Sequence, residues 1–122
     1  MEELLSILFL SREYAHRRHL SVTGPGSYAK HVVLGEFYEA IAEKADAIAE
    51  VYQGRHGLMK DIPYMAGPTG KTDPADVLEV QMDNVEGMRY SACDRTDTTI
   101  QNLIDEAIAC YLRTIYKLRN LA

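Results

Sequence analysis

The stretch from Gly54 to Asp73 constrains this chain most. It carries Gly57, Pro63, Gly67, Pro68 and Gly70 and no sustained hydrophobic period, so it reads as a loop. A link of this length need not reverse the chain direction. It can cross the length of a molecule and let the helices before and after it run parallel.

Helical spacing organises the residues on both sides. Helix 1 is expected over residues 2–20, with Glu2 and Glu3 suited to its start and with Leu4, Leu8, Ser11, Ala15 and His19 on one face. Thr23-Gly24-Pro25-Gly26 stops it, because proline lacks the donor that would continue a helix. Ser27 is the expected N-cap of helix 2, which runs to Tyr52 or Gln53, with Gly54 and Gly57 as stops. Its core stripe is Leu34, Tyr38, Ile41, Ala45, Ile48 and Tyr52. Asp73 before Pro74 opens helix 3, with Val77 or Leu78, Gln81 or Met82, Val85 and Met88 inward and an end near Cys93. After a polar turn at Asp94 to Asp97, the most regular stripe in the chain marks helix 4: Ile100, Leu103, Ile104, Ala107, Ile108, Tyr111, Ile115 and Leu118.

Short links between helices 1 and 2 and between helices 3 and 4, with one long link between them, describe an all-α, ferritin-like four-helix bundle with a single crossover connection between helices 2 and 3. Residues 1–122 fit one domain. An irregular four-helix bundle without any site satisfies the same pattern.

Charge and cysteine usage narrow the partners. The 13 Lys+Arg against 18 Asp+Glu leave a formal net charge of -5, which argues against a nucleic-acid backbone as the main partner. A local basic cluster spans Arg12 to Arg18. No apolar run approaches the roughly 20 residues of a membrane span, and no secretory leader pattern opens the chain. The expectation is a soluble cytoplasmic protein in which Cys93 and Cys110 are reduced and packed on helices.

Beside the core stripe of helix 2 runs another: His31, Gly35, Glu39, Ala42, Asp46 and Glu50. Asp46 and Glu50 are four apart, so their carboxylates lie one turn apart on one face and can share a cation. His19, near the end of helix 1, reads either as a capping or core histidine or as a ligand reaching those carboxylates across the helix pair. His31 lies 15 positions before Asp46, a rotation of about 60° and a rise of about 22 Å. No single ion binds both within one chain. They meet only if a second copy packs antiparallel on helix 2, which would create two equivalent sites by two-fold symmetry.

The run His19-Leu-Ser-Val-Thr-Gly-Pro-Gly-Ser-Tyr-Ala-Lys-His31, followed by Ala45-Asp-Ala-Ile-Ala-Glu50, resembles the signature of the Dps family, the dodecameric mini-ferritins. The likeness covers roughly residues 8–56, and in it a histidine spacing, a turn and a carboxylate pair agree together. It implies an iron-binding homo-oligomer, a two-fold dimer through helix 2 assembled to a dodecamer, that oxidises Fe(II) with peroxide or oxygen and stores it. By this resemblance His19, Asp46 and Glu50 of one chain and His31 of its neighbour hold iron or another divalent metal such as zinc. The chain departs from the family pattern at Gly35, where a carboxylate is usual, at Leu20, where an aromatic is usual, and in lacking a basic tail. The alternative expectation is therefore a non-enzymatic ferritin-like assembly or structural protein, of the kind encoded by phages, with a degenerate metal site.

Among the remaining residues, His16 is expected to be exposed beside Arg17 and Arg18, and the tyrosines, including Tyr14, Tyr28 and Tyr38, are assigned to interface packing.

Overall fold

The computed structural model describes all 122 residues. It is all-helical, with α1 at Glu2–His19, α2 at Ser27–His56, α3 at Pro74–Ala92 and α4 at Thr98–Asn120. α1 packs on α2 and α3, and α4 packs on the same two helices, so the bundle is a ring in the order α1, α2, α4, α3. Glu36 pairs with Lys117 near one end of α2, and Arg55 pairs with Asp97 near the other, which sets α2 and α4 antiparallel.

The ends of the helices follow local chemistry. Asp73 accepts from the Ala75 N–H at 3.0 Å, with Pro74 at the first helical position, and Asp97 accepts from the Ile100 N–H at 3.3 Å to start α4. α2 differs from expectation at both ends. Its N-cap is Gly26, in the left-handed region at φ 75°, and Ser27 is already helical. Gly54 lies inside the helix, which stops instead at Gly57, φ 87°. A glycine marks a stop only where the backbone takes a conformation that other residues avoid; Gly57 does and Gly54 does not.

The inward stripes meet in one core of 24 buried residues. Leu4, Leu8, Ala15, Leu34, Ile41, Ile48, Leu78, Val85, Ile100 and Ile104 are all buried there. Fully burying each Leu or Ile stabilises by about 1.5–3 kcal/mol. Tyr38 and Tyr52, expected in the core stripe of α2, are only partly buried; Phe37 takes the inward position and packs on Tyr111 at 5.2 Å between ring centroids.

A polar line crosses this core. Tyr111 Oη donates to Ser11 Oγ at 2.6 Å, and Ser11 Oγ donates onward to Gln81 Oε1 at 2.7 Å. It ties α4 to α1 and α1 to α3, and burial pushes the Tyr111 phenol well above the ordinary tyrosine range. A second buried group closes the α3–α4 turn. Arg89 Nε donates to Gln101 Oε1 at 2.9 Å, while Gln101 Nε2 donates to the carbonyls of Arg89 and Cys93 at 3.2 and 3.1 Å.

The segment between α2 and α3 has no regular structure but is fastened to α1. Ser6 Oγ donates to the Pro63 carbonyl at 2.5 Å. Farther along, Gly67 lies so close to Leu10 that a Cβ there would come within 2.6 Å of Leu10 Cδ1. Cys93 and Cys110 are both free and buried, and no helix is long and apolar enough to cross a membrane.

Candidate metal centre

The turn between α1 and α2 brings two histidines together. Gly24 and Gly26 both adopt positive φ, 90° and 75°, which reverses the chain and sets the last residue of α1, His19, against the second turn of α2, where His31 lies. The two rings stack at 3.7 Å between centroids, with 17° between their planes.

Their hydrogen bonds are reciprocal. His19 Nδ1 lies 2.6 Å from the His31 carbonyl oxygen, and His31 Nδ1 lies 2.6 Å from the His19 carbonyl oxygen. A carbonyl only accepts, so each Nδ1 carries the proton and donates. In the neutral ring this leaves Nε2 with a free lone pair, the form in which histidine binds a metal while its other nitrogen is fixed by a backbone oxygen. The His19 carbonyl is one of the α1 oxygens that no helical N–H reaches, so His31 also caps α1.

Gly35 explains how His19 reaches α2. A Cβ at this position would lie 3.1 Å from His19 Cε1 and 3.2 Å from His19 Nδ1. The imidazole packs against the bare Cα of residue 35 and reaches the carbonyl one helical turn earlier. A glycine within a helix costs about 1 kcal/mol relative to alanine, and here it accommodates the close approach of the ring, which a Cβ would press by a few tenths of an ångström.

Two more aromatic side chains extend the cluster. His16 stacks on Tyr38 at 4.3 Å and 15°, and Tyr38 meets His19 edge-on at 5.5 Å. His16 is thus half-buried against α2, not the exposed residue its charged neighbours imply.

Asp46 and Glu50 lie elsewhere. Both are exposed on α2, about 22 Å and 29 Å along the axis from His31 at 1.5 Å per residue. Asp46 borders a cleft of about 720 Å³ whose walls include Phe9, Arg12, Ala42 and Tyr64. The expected grouping of His19 with Asp46 and Glu50, with His31 supplied by a second chain, is replaced by His19 with His31 on one side and the two carboxylates on the other. No group of three or more His, Cys, Asp or Glu side chains within one chain is placed to hold a metal ion. The histidine pair offers two ring nitrogens and the acidic pair two carboxyl groups, ligand types that suit Fe(II) or Zn(II) once combined.

Helical periodicity does not reveal the reciprocal capping, although the sequence holds one signal for it: a mid-helix glycine one turn after His31, on the same stripe, calls for something lying against it.

One family model matches residues 19–118, from His19 into the last turns of α4, so it includes all four candidate ligands and Gly35. Its description is a family of unknown function. No curated protein and no solved structure matches the chain.

Proposed function

The chain belongs to the family DUF5856, a family of unknown function, and on the residues of the site we propose that it is a Dps-like protein of the ferritin-like class that binds a divalent metal, iron first and zinc as the alternative, between two copies of itself. His19 and His31 of one copy would face Asp46 and Glu50 of the other, with α2 packed antiparallel on its symmetry mate. The observation that carries this reading is the reciprocal histidine pair, in which both Nδ1 atoms are committed to main-chain oxygens and both Nε2 atoms remain available.

The bundle supports it. The link between α2 and α3 is held to α1 at Ser6 and again at Leu10, as a connection climbing the bundle in a ferritin-like crossover would be. Free Cys93 and Cys110 fit a reducing compartment, and we take the cytoplasm as the setting.

In this reading iron is the substrate. The two carboxylates neutralise Fe(II), and the histidines, prevented from rotating by their carbonyl bonds, supply nitrogen donors without reorganisation. Oxidation by oxygen or peroxide and deposition inside a dodecameric shell would follow. Elemental analysis of the purified protein with and without chelator tests occupancy. Aerobic Fe(II) addition should give an oxidation rate that His31→Ala and Asp46→Ala abolish, and equal rates in parent and variants would contradict the proposal.

A specific observation favours a second reading, an assembly or structural protein, phage-encoded in kind, that keeps the ferritin-like bundle without turnover. Residue 35 supplies no ligand because it lies beneath the His19 ring, and Leu20 beside the pair is 73% exposed and carries no redox-active ring. Stoichiometric metal without any oxidation rate above the buffer blank would select it.

A further inference from the structure

The densest unsatisfied polar chemistry lies away from the histidines. A cleft of about 460 Å³ opens between the C-terminal half of α1 and the glycine-bearing turn at residues 67–70. On its wall the Tyr14 hydroxyl and Arg18 Nε are buried beside each other, and neither has another hydrogen-bond partner. Tyr14 is only 6% exposed. Leaving a buried donor unpaired costs about 1–3 kcal/mol; the Tyr14 oxygen can accept from Arg18, which leaves the phenol proton as the donor that still lacks an acceptor.

Both groups are donors in the state that matters. A guanidinium is always charged, and burial raises the Tyr14 phenol, an effect that the neighbouring Arg18 only partly offsets. Arg17 is committed to Glu13 at 2.9 Å, which leaves that acid and base paired. Asp73 also acts on Tyr14 as an anion that raises its pKa, while its Oδ1 caps α3. Arg18 has no such partner. Its Nη1 donates to the neutral Ser21 Oγ at 2.9 Å, and none of the ion pairs in the molecule includes it. Thr69 adds a hydroxyl to the same cleft, whereas the Ser21 hydroxyl donates to the Arg18 carbonyl at 3.5 Å.

The opposite wall is built to stay close. Gly67 lets the turn lie directly against the Leu10 side chain, which a Cβ would push aside, and Gly70 at φ 94° bends it back. The result is a pocket with a cation that forms no ion pair, the Tyr14 hydroxyl and, at Leu10 and Met65, an apolar side. Its volume lies in the range of small-molecule sites.

We propose that this cleft binds a phosphate group, as free inorganic phosphate or on a small organic phosphate, with Arg18 and Tyr14 donating to its oxygens. A water would accept both donors but leave the Arg18 charge uncompensated. A tetrahedral oxyanion accepts from Arg18 and Tyr14 together, and arginine is well matched to it. The site is independent of the metal reading, since it uses neither histidine nor either carboxylate.

The test is calorimetric titration of the full chain with inorganic phosphate and, separately, with glycerol 3-phosphate, at constant ionic strength. Saturable binding is expected, weakened at least about tenfold, or about 1.4 kcal/mol, in both Tyr14→Phe and Arg18→Gln. Arg12→Gln, on the other cleft, should bind as the parent does. Tighter binding of glycerol 3-phosphate identifies an organic phosphate, and tighter inorganic phosphate the free ion. Tyr14→Phe keeps the ring and so carries the test if Arg18→Gln does not fold. Absence of saturable binding at about 10 mM of either probe, or equal affinity in parent and Tyr14→Phe, overturns the proposal.

Discussion

His19 and His31 hold each other by the same bond made twice, each Nδ1 donating 2.6 Å to the other's main-chain oxygen. The pair joins the end of α1 to the start of α2, and it fixes which nitrogen of each ring is left for chemistry.

Gly35 is the position on which this pair rests. At Gly87, inside α3, an added methyl group would meet nothing within 4 Å, so Gly87→Ala should stabilise by about 0.5–1 kcal/mol through helix propensity. Gly35→Ala should forfeit that gain, because its methyl would lie 3.1 Å from His19 Cε1. Thermal melts compare the two, and imidazole proton shifts report whether the rings remain stacked. A Gly35→Ala protein as stabilised as Gly87→Ala, with unchanged shifts, would show that the ring does not need the glycine.

How far the sequence reaches is visible in the same residues. The four helices are legible because their buried faces repeat at helical spacing, and α4 most of all, with Ile100, Ile104, Ala107, Ile108, Tyr111 and Ile115 buried as its pattern requires. The histidine pair is not legible from periodicity. His19 lies at the end of one helix and His31 inside another, and their meeting depends on two positive-φ glycines and on a bare Cα at residue 35. The buried Arg89 and Gln101 escaped for a related reason: a polar residue turns inward only when specific partners exist, and hydrophobic spacing carries no trace of them.

Those partners set the next expectation. Gln101 is 6% exposed and bonds Arg89 Nε together with the carbonyls that end α3. Gln101→Ala strands these groups and should destabilise by about 2–4 kcal/mol. Asp105 also meets Arg89, at 2.6 Å, but its side chain is 59% exposed, so Asp105→Ala should cost below about 1 kcal/mol. Urea unfolding of both variants checks the order, and a larger loss for Asp105→Ala would reverse the account of this turn.

Tyr111 gives a pH dependence with a definite sign. Burial raises its folded-state pKa above the unfolded value near 10. Below that pH the phenol is neutral in both states and adds no slope. Above it the unfolded chain ionises first, so stability falls as pH rises. Melts between about pH 8 and 11 should show this decline, and Tyr111→Phe should flatten it while losing about 1 kcal/mol at neutral pH with the Ser11 hydrogen bond. An unchanged alkaline slope in Tyr111→Phe would assign the decline to other groups.

The central claim, a metal site divided between two copies, is tested most directly by mixing two proteins that are each disabled on one side. His19→Ala/His31→Ala lacks the nitrogen donors, and Asp46→Asn/Glu50→Gln lacks the carboxylates. In a two-fold pair made of one copy of each, one site is complete and the other is doubly deficient. Each variant alone should bind no metal, and the pair isolated after mixing should recover about half the parent stoichiometry by elemental analysis. A mixed pair as empty as its components, or either variant binding like the parent, would contradict a site shared between subunits.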